Sequence, residues 1–216
     1  MSHGPRVAVL DYEMSNLRSA TKALELLGAR VDVARTPDEA AGADAVVLPG
    51  VGNFGEAMRR IRAAGLDRAV TDAVDADIPV LGICLGVQLL FEESEEAPGV
   101  TGLGVLPGRV RRIRTDRKLP QIGWNTVTWV DGAPLAPTGT DRLQSTYYFV
   151  HTYCCEPADP DLVLGRTTYG EDLCAAAGRP GLMGVQFHPE KSSRAGLALL
   201  ERWLAGVAAA TVGSAA

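Results

Sequence analysis

The sequence predicts an α/β fold, with a mostly parallel central sheet, flanking helices and extra antiparallel strands in the second half. In the first half, short apolar runs rich in β-branched residues alternate with amphipathic segments, which is typical of parallel strands joined by helical crossovers. The run AVVL at 45–48 is continuously apolar, as a strand buried on both faces should be. The second half is dominated by strand patterns. Because there is no internal repeat and no linker, we expect residues 1–216 to form one domain.

The first half is predicted to contain four strands and four helices. The first helix can be capped by Ser15 or Asn16 and ends at Gly28. Thr36 caps a short second helix that has Pro37 as its first residue. The strands are predicted at 6–12, 31–34, 45–48 and 79–83, and the remaining helices at 56–64 and 66–74.

The second half is predicted to be mainly strands, closed by one helix over 193–209 with an apolar face. A turn is expected at 123–125 and a proline-rich loop at 132–140. After Gly206 the alanine- and glycine-rich end, about 206–216, is expected to fray. The predicted strands are 103–106, 109–114, 126–130, 147–155, 162–168 and 182–187.

Composition favours a soluble, cytoplasmic protein rather than a membrane protein or a general nucleic-acid binder. The net charge is -5 and the isoelectric point is near 5.3, which argues against general binding to nucleic acid. The basic stretch 109–114 alternates as the solvent-facing side of a strand does, although a docking site for an acidic partner or phosphate is the alternative. No signal peptide or transmembrane run is present in the sequence.

The four cysteines are expected to be reduced thiols, since their spacing is not that of a disulfide scaffold. Cys154 and Cys155 are adjacent, so a strand would place their side chains on opposite faces. The three histidines and scattered cysteines have no zinc-ligand spacing, and we expect neither a metal nor a cofactor.

The central motif is a strand-to-helix turn that reads PVLGICLGVQLL at 79–90. Gly82 and Gly86 flank Cys84 in a Gly-x-Cys-x-Gly pattern, the thiol counterpart of the turn that holds a nucleophile above a sheet. Glycine suits these positions because a strained turn leaves no room for a Cβ atom. At a helix N-terminus the dipole also favours the thiolate. The alternative for a lone cysteine is a buried structural role.

A general base for this thiol is available in His188, which directly follows the last predicted strand. Glu190 lies two residues further on, and in an extended segment it would point the same way and orient the imidazole. The alternatives are that His188 is an exposed loop histidine and that Glu190 is an ordinary acid at the start of a helix. His3 lies near the terminus, and His151 is expected to pack near the substrate or at an interface rather than act as a second base.

A glycine-rich loop, PGVGNFG at 49–55, follows the third strand. It can supply backbone N–H groups to an oxyanion, while a phosphate-binding role is less favoured because the loop lacks the Gly-Lys-Ser/Thr ending of a P-loop. Sites in parallel sheets lie beyond the carboxyl ends of the strands, so this loop and Cys84 are expected to meet.

These motifs resemble those of the class-I, triad-type glutamine amidotransferases, which have a flavodoxin-like fold. GICLGVQ at 82–88, QFHPE at 186–190 and PGVG at 49–52 match the family's nucleophile, His/Glu and oxyanion motifs, and their order covers nearly the whole chain. The resemblance implies that Cys84, His188 and Glu190 form a triad that hydrolyses L-glutamine to glutamate and ammonia. It also implies oxyanion and substrate contacts from Gly50, Val51, Gly52, Leu85, Gln88, Thr152 and Tyr153.

Further motifs are similar to those of one family within this class, the glutaminase subunits of imidazole glycerol phosphate synthase. They are QFHPEKS at 186–192, YFVHTY at 148–153, QIGWN at 121–125, and the first-turn residues 11–12 and 16–19. The chain departs from the family in the first turn, where Glu13 and Ser15 stand in place of the usual glycines.

That resemblance implies a partner. In this family the ammonia passes to a (β/α)₈ barrel synthase subunit, which makes imidazole glycerol phosphate and an aminoimidazole carboxamide ribotide in histidine biosynthesis. The glutaminase is weak until the partner holds its ligand. Asn16, Lys191 and Ser192 are the expected partner contacts, although a solvated loop lysine is the alternative for Lys191. The competing interpretations are the glutaminase subunit of another synthase, such as pyridoxal phosphate synthase, a γ-glutamyl hydrolase, and a non-catalytic α/β binding protein.

Overall fold

The strands of the protein form one sheet in a computed structural model that describes residues 4–14, 16–137 and 144–214, without the side chains of 144 and 212–214. In chain order the strands are β1 Arg6–Leu10, β2 Arg30–Ala34, β3 Ala45–Gly50, β4 Val80–Cys84, β5 Glu93–Ser94, β6 Gly108–Arg112, β7 Gln121–Trp129, β8 Gln144–His151, β9 Tyr153–Pro157, β10 Val163–Thr168, β11 Asp172–Arg179 and β12 Leu182–Val185. The helices are α1 Leu17–Leu26, α2 Pro37–Ala40, α3 Phe54–Ala63, α4 Leu66–Asp75, α5 Leu85–Leu89 and α6 Ser193–Ser214.

The sheet joins a parallel half to an antiparallel half, as the sequence predicts. Its order is β2-β1-β3-β4-β12-β11-β10-β7-β8, and β5, β6 and β9 extend it beside β11. The first five strands of this order pair in parallel, and the rest of the path is antiparallel. Strand β12 lies near the end of the sequence and directly precedes His188 and Glu190. Its pairing with β4 therefore brings these two candidate residues close to Cys84.

Helices cover both faces of the parallel half. One apolar core lies between the sheet and α2, α3, α4 and α5, and a second lies between the opposite face and α1 and α6. Side chains of β1 alternate between the two, with Ala8 and Leu10 in the first core and Val7 and Val9 in the second. The strands are therefore buried on both sides, which explains their continuous hydrophobicity.

The predicted elements of the first half are confirmed to within about two residues. Thr36 caps α2 by accepting a hydrogen bond from the backbone N–H of Glu39. Helix α3 begins earlier than predicted because the Asn53 side chain accepts from the N–H of Glu56. Asn16 occupies the N-cap position of α1 but makes no side-chain cap bond. Ser15, the other candidate cap, lies outside the described residues, as does His3.

The second half departs from the prediction at several elements. Residues 103–106 are not a strand, and the predicted turn at 123–125 lies inside β7, which pairs with β8 from Gln121↔His151 to Thr128↔Gln144. The predicted strand 147–155 is divided at Thr152 into β8 and β9. Strand β11 was not predicted because its sequence, DLCAAAGR, has low strand propensity and becomes a strand through burial.

The adjacent cysteines lie on opposite faces of β9, as predicted. Cys155 packs in the first core, while Cys154 packs in a small separate cluster. The basic stretch is only partly solvent-facing, since Arg111 is buried and bonds to Glu156 and Glu171. Burial is tolerated because both carboxylates satisfy the guanidinium.

Helix α6 continues to Ser214, beyond the point near Gly206 at which fraying was expected. Alanine has the highest helix propensity, so an alanine-rich segment tolerates one glycine. In the described part of the chain, no helix combines the length and apolar character needed to cross a membrane.

Gly86 provides a test of how closely the sheet and α5 are packed. A Cβ at this position would lie 1.8 Å from the backbone carbonyl oxygen of Leu48, an atom that cannot move aside without shifting β3. We expect Gly86→Ala to lower the free energy of unfolding by more than about 3 kcal/mol, measured by urea denaturation.

The matched control is Gly206→Ala in α6, where a Cβ would meet nothing within 4 Å. Alanine there should raise the free energy of unfolding by up to about 1 kcal/mol because of its helix propensity. Equal effects of the two substitutions would contradict this account of the packing.

Candidate active site

Cys84 lies at the sharpest turn of the candidate site, as the last residue of β4 and the residue that precedes α5. Its φ of 57° and ψ of -113° are unfavourable for a residue with a side chain, at a cost of about 1–3 kcal/mol. The flanking glycines have a different role. A Cβ on Gly82 would lie 2.8 Å from the Cα of Val87, and a Cβ on Gly86 would lie closer still, 1.8 Å from the Leu48 carbonyl oxygen. The glycines therefore permit close backbone approach, and the strain is at the cysteine.

His188 and Glu190 follow the end of β12 and contact each other. The His188 Nδ1 and Glu190 Oε1 atoms are 2.8 Å apart, and both side chains are almost fully buried. The segment Pro189–Lys191 is a 3₁₀ turn rather than the extended segment expected from the sequence. The turn brings the carboxylate back to the ring, so the contact is as predicted although its backbone cause differs.

The Cys84 thiol completes this group of side chains. Burial alone lowers the pKa of the His188 imidazole, but hydrogen bonds with Cys84 and Glu190, together with their negative charges, raise it to about 9. Because Nδ1 faces Glu190, Nε2 is the nitrogen available to the thiol. The arrangement holds an imidazolium beside the thiol.

His151 lines the same cavity, but its surroundings lower its pKa whereas those of His188 raise it. Its two ring nitrogens lie 2.9 Å from the carbonyl oxygen of Tyr153 and 3.0 Å from Oε1 of Gln121. Burial lowers the pKa of His151 to about 4, so this imidazole is neutral at physiological pH. The Tyr153 carbonyl can only accept, so Nδ1 carries the proton, Nε2 of the neutral ring is an acceptor, and the Gln121 amide presents its nitrogen to it. Since both nitrogens then have partners, the geometry is that of a scaffold residue rather than a second base.

Cys84 and His188 line a cavity of about 290 Å³. The sequence-predicted residues that line it are Val51, Gly52, Cys84, Leu85, Gln88, Thr152, Tyr153, His188 and Lys191. Gly50 lies beside Cys84, because the two residues are register partners in the parallel pairing of β3 with β4. The glycine-rich loop and the cysteine turn therefore meet, as predicted from the carboxyl ends of their strands.

The two predicted oxyanion donors differ in availability. Leu85 is the first residue of α5, so its N–H has no acceptor within the helix. The N–H of Val51 instead donates to the carbonyl oxygen of Met14, at 2.9 Å. Tyr12 holds the same loop by donating to the carbonyl oxygen of Pro49 at 2.8 Å. The glycine-rich loop is thus attached to the β1–α1 loop, and of the two predicted donors only the N–H of Leu85 is free.

The substrate-binding candidates form a connected wall of the cavity. The amide nitrogen of Gln88 donates to the carbonyl oxygen of Tyr153 at 3.0 Å. The carbonyl oxygen of Thr152 accepts from the N–H of Ile113, also at 3.0 Å. Both carbonyls are therefore engaged within the protein, and a ligand would meet other atoms of these residues.

The partner-contact candidates separate into surface and interior residues. Asn16 is exposed, and Lys191 is exposed at the rim of the cavity. Ser192 is buried, contrary to the expectation of a surface contact. Its hydroxyl donates to the carbonyl oxygen of His188 at 2.5 Å and accepts from the N–H of Tyr148 at 3.0 Å, so it supports the His188 turn from within.

Sequence reasoning missed an exposed apolar surface on β7 beside the site. Ile122 is 63% exposed and Trp124 is 54% exposed, and their register partners on β8 are Val150, which lines the cavity, and Tyr148. The signal was present in the alternation of this strand. The buried apolar residues of β7 fall at odd positions, so apolar residues at 122 and 124 face away from the core.

Within the described ranges, no group of three or more His, Cys, Asp or Glu side chains is arranged to hold a metal ion. The reactive groups that the geometry brings together are the thiol of Cys84, the imidazole of His188 and the carboxylate of Glu190. Such an array can attack a carbonyl carbon and protonate a leaving group.

Comparisons with known proteins assign this architecture to a family. A family model described as glutamine amidotransferase class-I matches residues 8–206. Imidazole glycerol phosphate synthase subunit HisH of Moorella thermoacetica is 44% identical over 200 residues, covering 91% of this chain and 93% of the relative. The HisH subunits of Symbiobacterium thermophilum and Methanocaldococcus jannaschii are 46% and 41% identical, covering 92% of this chain and 92% and 98% of the relatives.

Solved structures agree at the level of the fold. A glutamine amidotransferase superposes with a TM-score of 0.74 at 22% identity, covering 94% of this chain and 98% of the other. PurLQS from Thermotoga maritima superposes with a TM-score of 0.74 at 18% identity, covering 96% and 99%.

The raised pKa of His188 predicts how stability depends on pH. Its pKa of about 9 in the folded protein exceeds the ordinary 6.5, so the contacts of the imidazolium stabilise the fold fully below pH 6.5 and lose their effect as the pH rises through about 9. Glu190→Gln removes part of that stabilisation. The difference in unfolding free energy between the parent and this variant should therefore be largest near pH 6 and shrink towards pH 10 in urea titrations.

The control for this series is Glu25→Gln, which changes an exposed carboxylate on α1. Its difference from the parent should stay flat over the same pH range. A flat difference for Glu190→Gln as well would mean that the carboxylate does not hold the imidazolium.

Proposed function

This chain belongs to the class-I glutamine amidotransferases, and among them to the HisH subunits of imidazole glycerol phosphate synthase, and we propose that it is the glutaminase of such a synthase. It hydrolyses L-glutamine to glutamate and ammonia and delivers the ammonia to a partner subunit in histidine biosynthesis. The observation that carries this proposal is the contact of Cys84, His188 and Glu190 beside a cavity at the strand ends. The whole chain acts as one domain, and its four free cysteines fit the reducing cytoplasm.

The first half of the reaction forms a thioester. The Cys84 thiolate attacks the side-chain carbonyl carbon of glutamine, and the electron pair of the carbonyl moves to its oxygen. As the tetrahedral intermediate collapses, the carbon–nitrogen bond breaks and Nε2 of His188 gives its proton to the departing ammonia. Glu190 holds Nδ1 throughout and thereby keeps Nε2 directed at the reacting atoms.

The second half consumes water. Neutral His188 removes a proton from a water molecule, whose oxygen attacks the thioester carbon. The carbon–sulfur bond then breaks, glutamate leaves, and Cys84 and His188 return as the thiolate and imidazolium. Gln88 and the main chain of Gly52, Thr152 and Tyr153 hold the substrate during both halves.

The state of the oxyanion loop gives a physical reason for low activity in the free subunit. Leu85 can donate to the oxyanion directly, but the N–H of Val51 must first leave the Met14 carbonyl. One missing oxyanion donor costs about 10²–10³ in turnover. Met14 lies in the same β1–α1 loop as Asn16, the N-cap residue of α1. A partner that binds this loop can therefore move the Met14 carbonyl oxygen, which is the acceptor of the Val51 N–H. Activation by the partner follows from this connection.

The partner is proposed to be a (β/α)₈ barrel cyclase that forms imidazole glycerol phosphate and aminoimidazole carboxamide ribotide from the ammonia. Its contact surface includes Asn16, Lys191 and the exposed face of Ile122 and Trp124, all outside the core. The ring of Trp124 packs edge-on against Tyr148 with centroids 6.0 Å apart, so it is already ordered for binding. Lys191 and Val150, the register partner of Ile122, line the cavity, so a partner bound to this surface would cover the cavity mouth.

Removing the nucleophile tests the proposed chemistry. In the complex of this chain with the barrel subunit and its ligand, Cys84→Ala should lower glutamine turnover at least about 1,000-fold, because no thioester can form. Product formation from added ammonium salt should be unchanged, since that reaction bypasses Cys84.

Two results would count against the proposal. Residual glutamine turnover close to that of the parent would show that Cys84 is not the nucleophile. Full activity of the free chain, without partner or ligand, would contradict activation by the synthase subunit.

The apolar surface predicts an effect on assembly. Trp124→Ala should weaken binding of the barrel subunit by about 30-fold or more, measured by isothermal titration, because a large ordered aromatic side chain loses its buried contact. Leu26→Ala is the matched control, since Leu26 is 74% exposed at the far end of α1. Equal affinities for all three proteins would exclude the β7 face from the interface.

A further inference from the structure

Gln186 is a buried residue that the proposed chemistry leaves without a role. It is 1% exposed, lies outside the lining of the cavity and precedes His188 by two positions. Its Oε1 accepts a hydrogen bond from Nε2 of Gln88 at 2.9 Å, across 98 positions of the sequence. Its own Nε2 is buried without a partner in the described structure. Burying an amide nitrogen without a hydrogen-bond partner destabilises the fold. The presence of glutamine at this position therefore indicates that the hydrogen bond accepted by its Oε1 is needed.

The hydrogen bonds of Gln88 determine which way its amide faces. Its nitrogen has two hydrogens, and these go to the carbonyl oxygen of Tyr153 and to Oε1 of Gln186. The Tyr153 carbonyl can only accept, so the end of Gln88 beside it must be the nitrogen. A rotated amide would place its oxygen against two acceptors. The terminal torsion of glutamine is otherwise loosely restrained, so these two partners set it.

The same carbonyl extends the restraint to His151. The Nδ1 atom of His151 lies 2.9 Å from the Tyr153 oxygen and therefore carries its proton there. The Tyr153 carbonyl thus accepts from Gln88 and His151 together. Because this imidazole is neutral and buried, the hydrogen bonds to the Tyr153 carbonyl do not depend on pH near neutrality.

These hydrogen bonds determine which polar atom of Gln88 the cavity wall presents to a ligand. With both hydrogens committed, Oε1 is the only polar atom of the Gln88 side chain that remains for a ligand, and Gln88 lines the cavity one helical turn beyond Cys84. The wall at this point offers an acceptor and no donor. It suits an N–H group of the ligand and disfavours a carboxylate or carbonyl oxygen at the same place.

We propose that Gln186 is a positioning residue for substrate recognition, which holds the Gln88 amide with its oxygen towards an N–H group of the bound glutamine. This inference rests on the proposed glutaminase function and deepens it. Gln186 acts only through Gln88, so its effect falls on substrate binding and leaves the reactivity of the thiol intact.

Two reagents that modify Cys84 separate these effects. Acivicin, a glutamine-analogue electrophile, needs the recognition wall, whereas iodoacetamide needs only an accessible thiol. In the complex with the barrel subunit and its ligand, Gln186→Met removes the acceptor at nearly constant volume. It should raise KM for glutamine about tenfold and slow labelling by acivicin to the same extent, with kcat and the iodoacetamide rate within about twofold of the parent.

A double-mutant cycle tests whether the effect passes through Gln88. Gln88→Met alone should raise KM, and Gln186→Met added to it should cause no further change. Gln186→Asn, which withdraws the acceptor but keeps an amide, provides a second variant if the methionine protein is unstable. Thr167→Val is the matched control, because it removes a buried hydrogen bond to the Thr126 carbonyl on β7 and should leave KM and both labelling rates unchanged.

Each outcome decides the inference. A selective loss of acivicin labelling that disappears in the Gln88→Met background supports it. Unchanged KM in both Gln186 variants, equal slowing of both reagents, or additive effects in the cycle would overturn it. A parent protein that iodoacetamide modifies and acivicin does not would instead refute the glutaminase function, and the inference with it.

Discussion

The parallel pairing of β4 with β3 on one side and β12 on the other is the constraint on which the site depends. Register pairs Gly50 with Cys84 and Val185 with Ile83, so three strands end at one level of the sheet. The glycine-rich loop, the nucleophile and the histidine then leave these strands as near neighbours. Hydrogen bonding in the ladder allows the strained φ of Cys84 to persist, because both flanking strands hold β4 in place.

The site also shows how two histidines in one cavity acquire different charges. His188 meets a carboxylate and a thiol, which raise its pKa against the effect of burial. Burial lowers the pKa of His151, although its hydrogen bond with the Tyr153 carbonyl acts in the opposite direction. The first is suited to hold and transfer a proton. The second is suited to keep a fixed hydrogen-bond pattern. The chemistry and the recognition wall thus lie side by side without competing for protons.

In the proposed mechanism, control of the reaction lies in the hydrogen bonds that connect the glycine-rich loop to the β1–α1 loop. Tyr12 and Met14 bind Pro49 and Val51 from the β1–α1 loop, and a Cβ on Gly52 would lie 2.8 Å from the Met14 side chain. The loop that restrains the donor also carries Asn16, one of the proposed partner contacts. A glutaminase that released ammonia without an acceptor would waste glutamine, and a donor withheld by a neighbouring loop avoids this.

The sequence by itself determined the parallel half of the fold, the turn at Cys84 and the identity of its partners His188 and Glu190. Hydrophobic periodicity, capping residues and glycine spacing are local properties, and they need no knowledge of what packs against them. The same locality explains the failures. Strand β11 has low strand propensity, and 123–125 has the composition of a turn, yet pairing with neighbouring strands makes both extended.

Only the tertiary structure decided which histidine is charged, that Ser192 is buried, that Val51 donates to Met14, and that Gln186 reaches Gln88. These facts depend on contacts between residues far apart in the sequence and on the loss of water around them. Desolvation and hydrogen-bond partners are set when the strands assemble, so no window of sequence contains them.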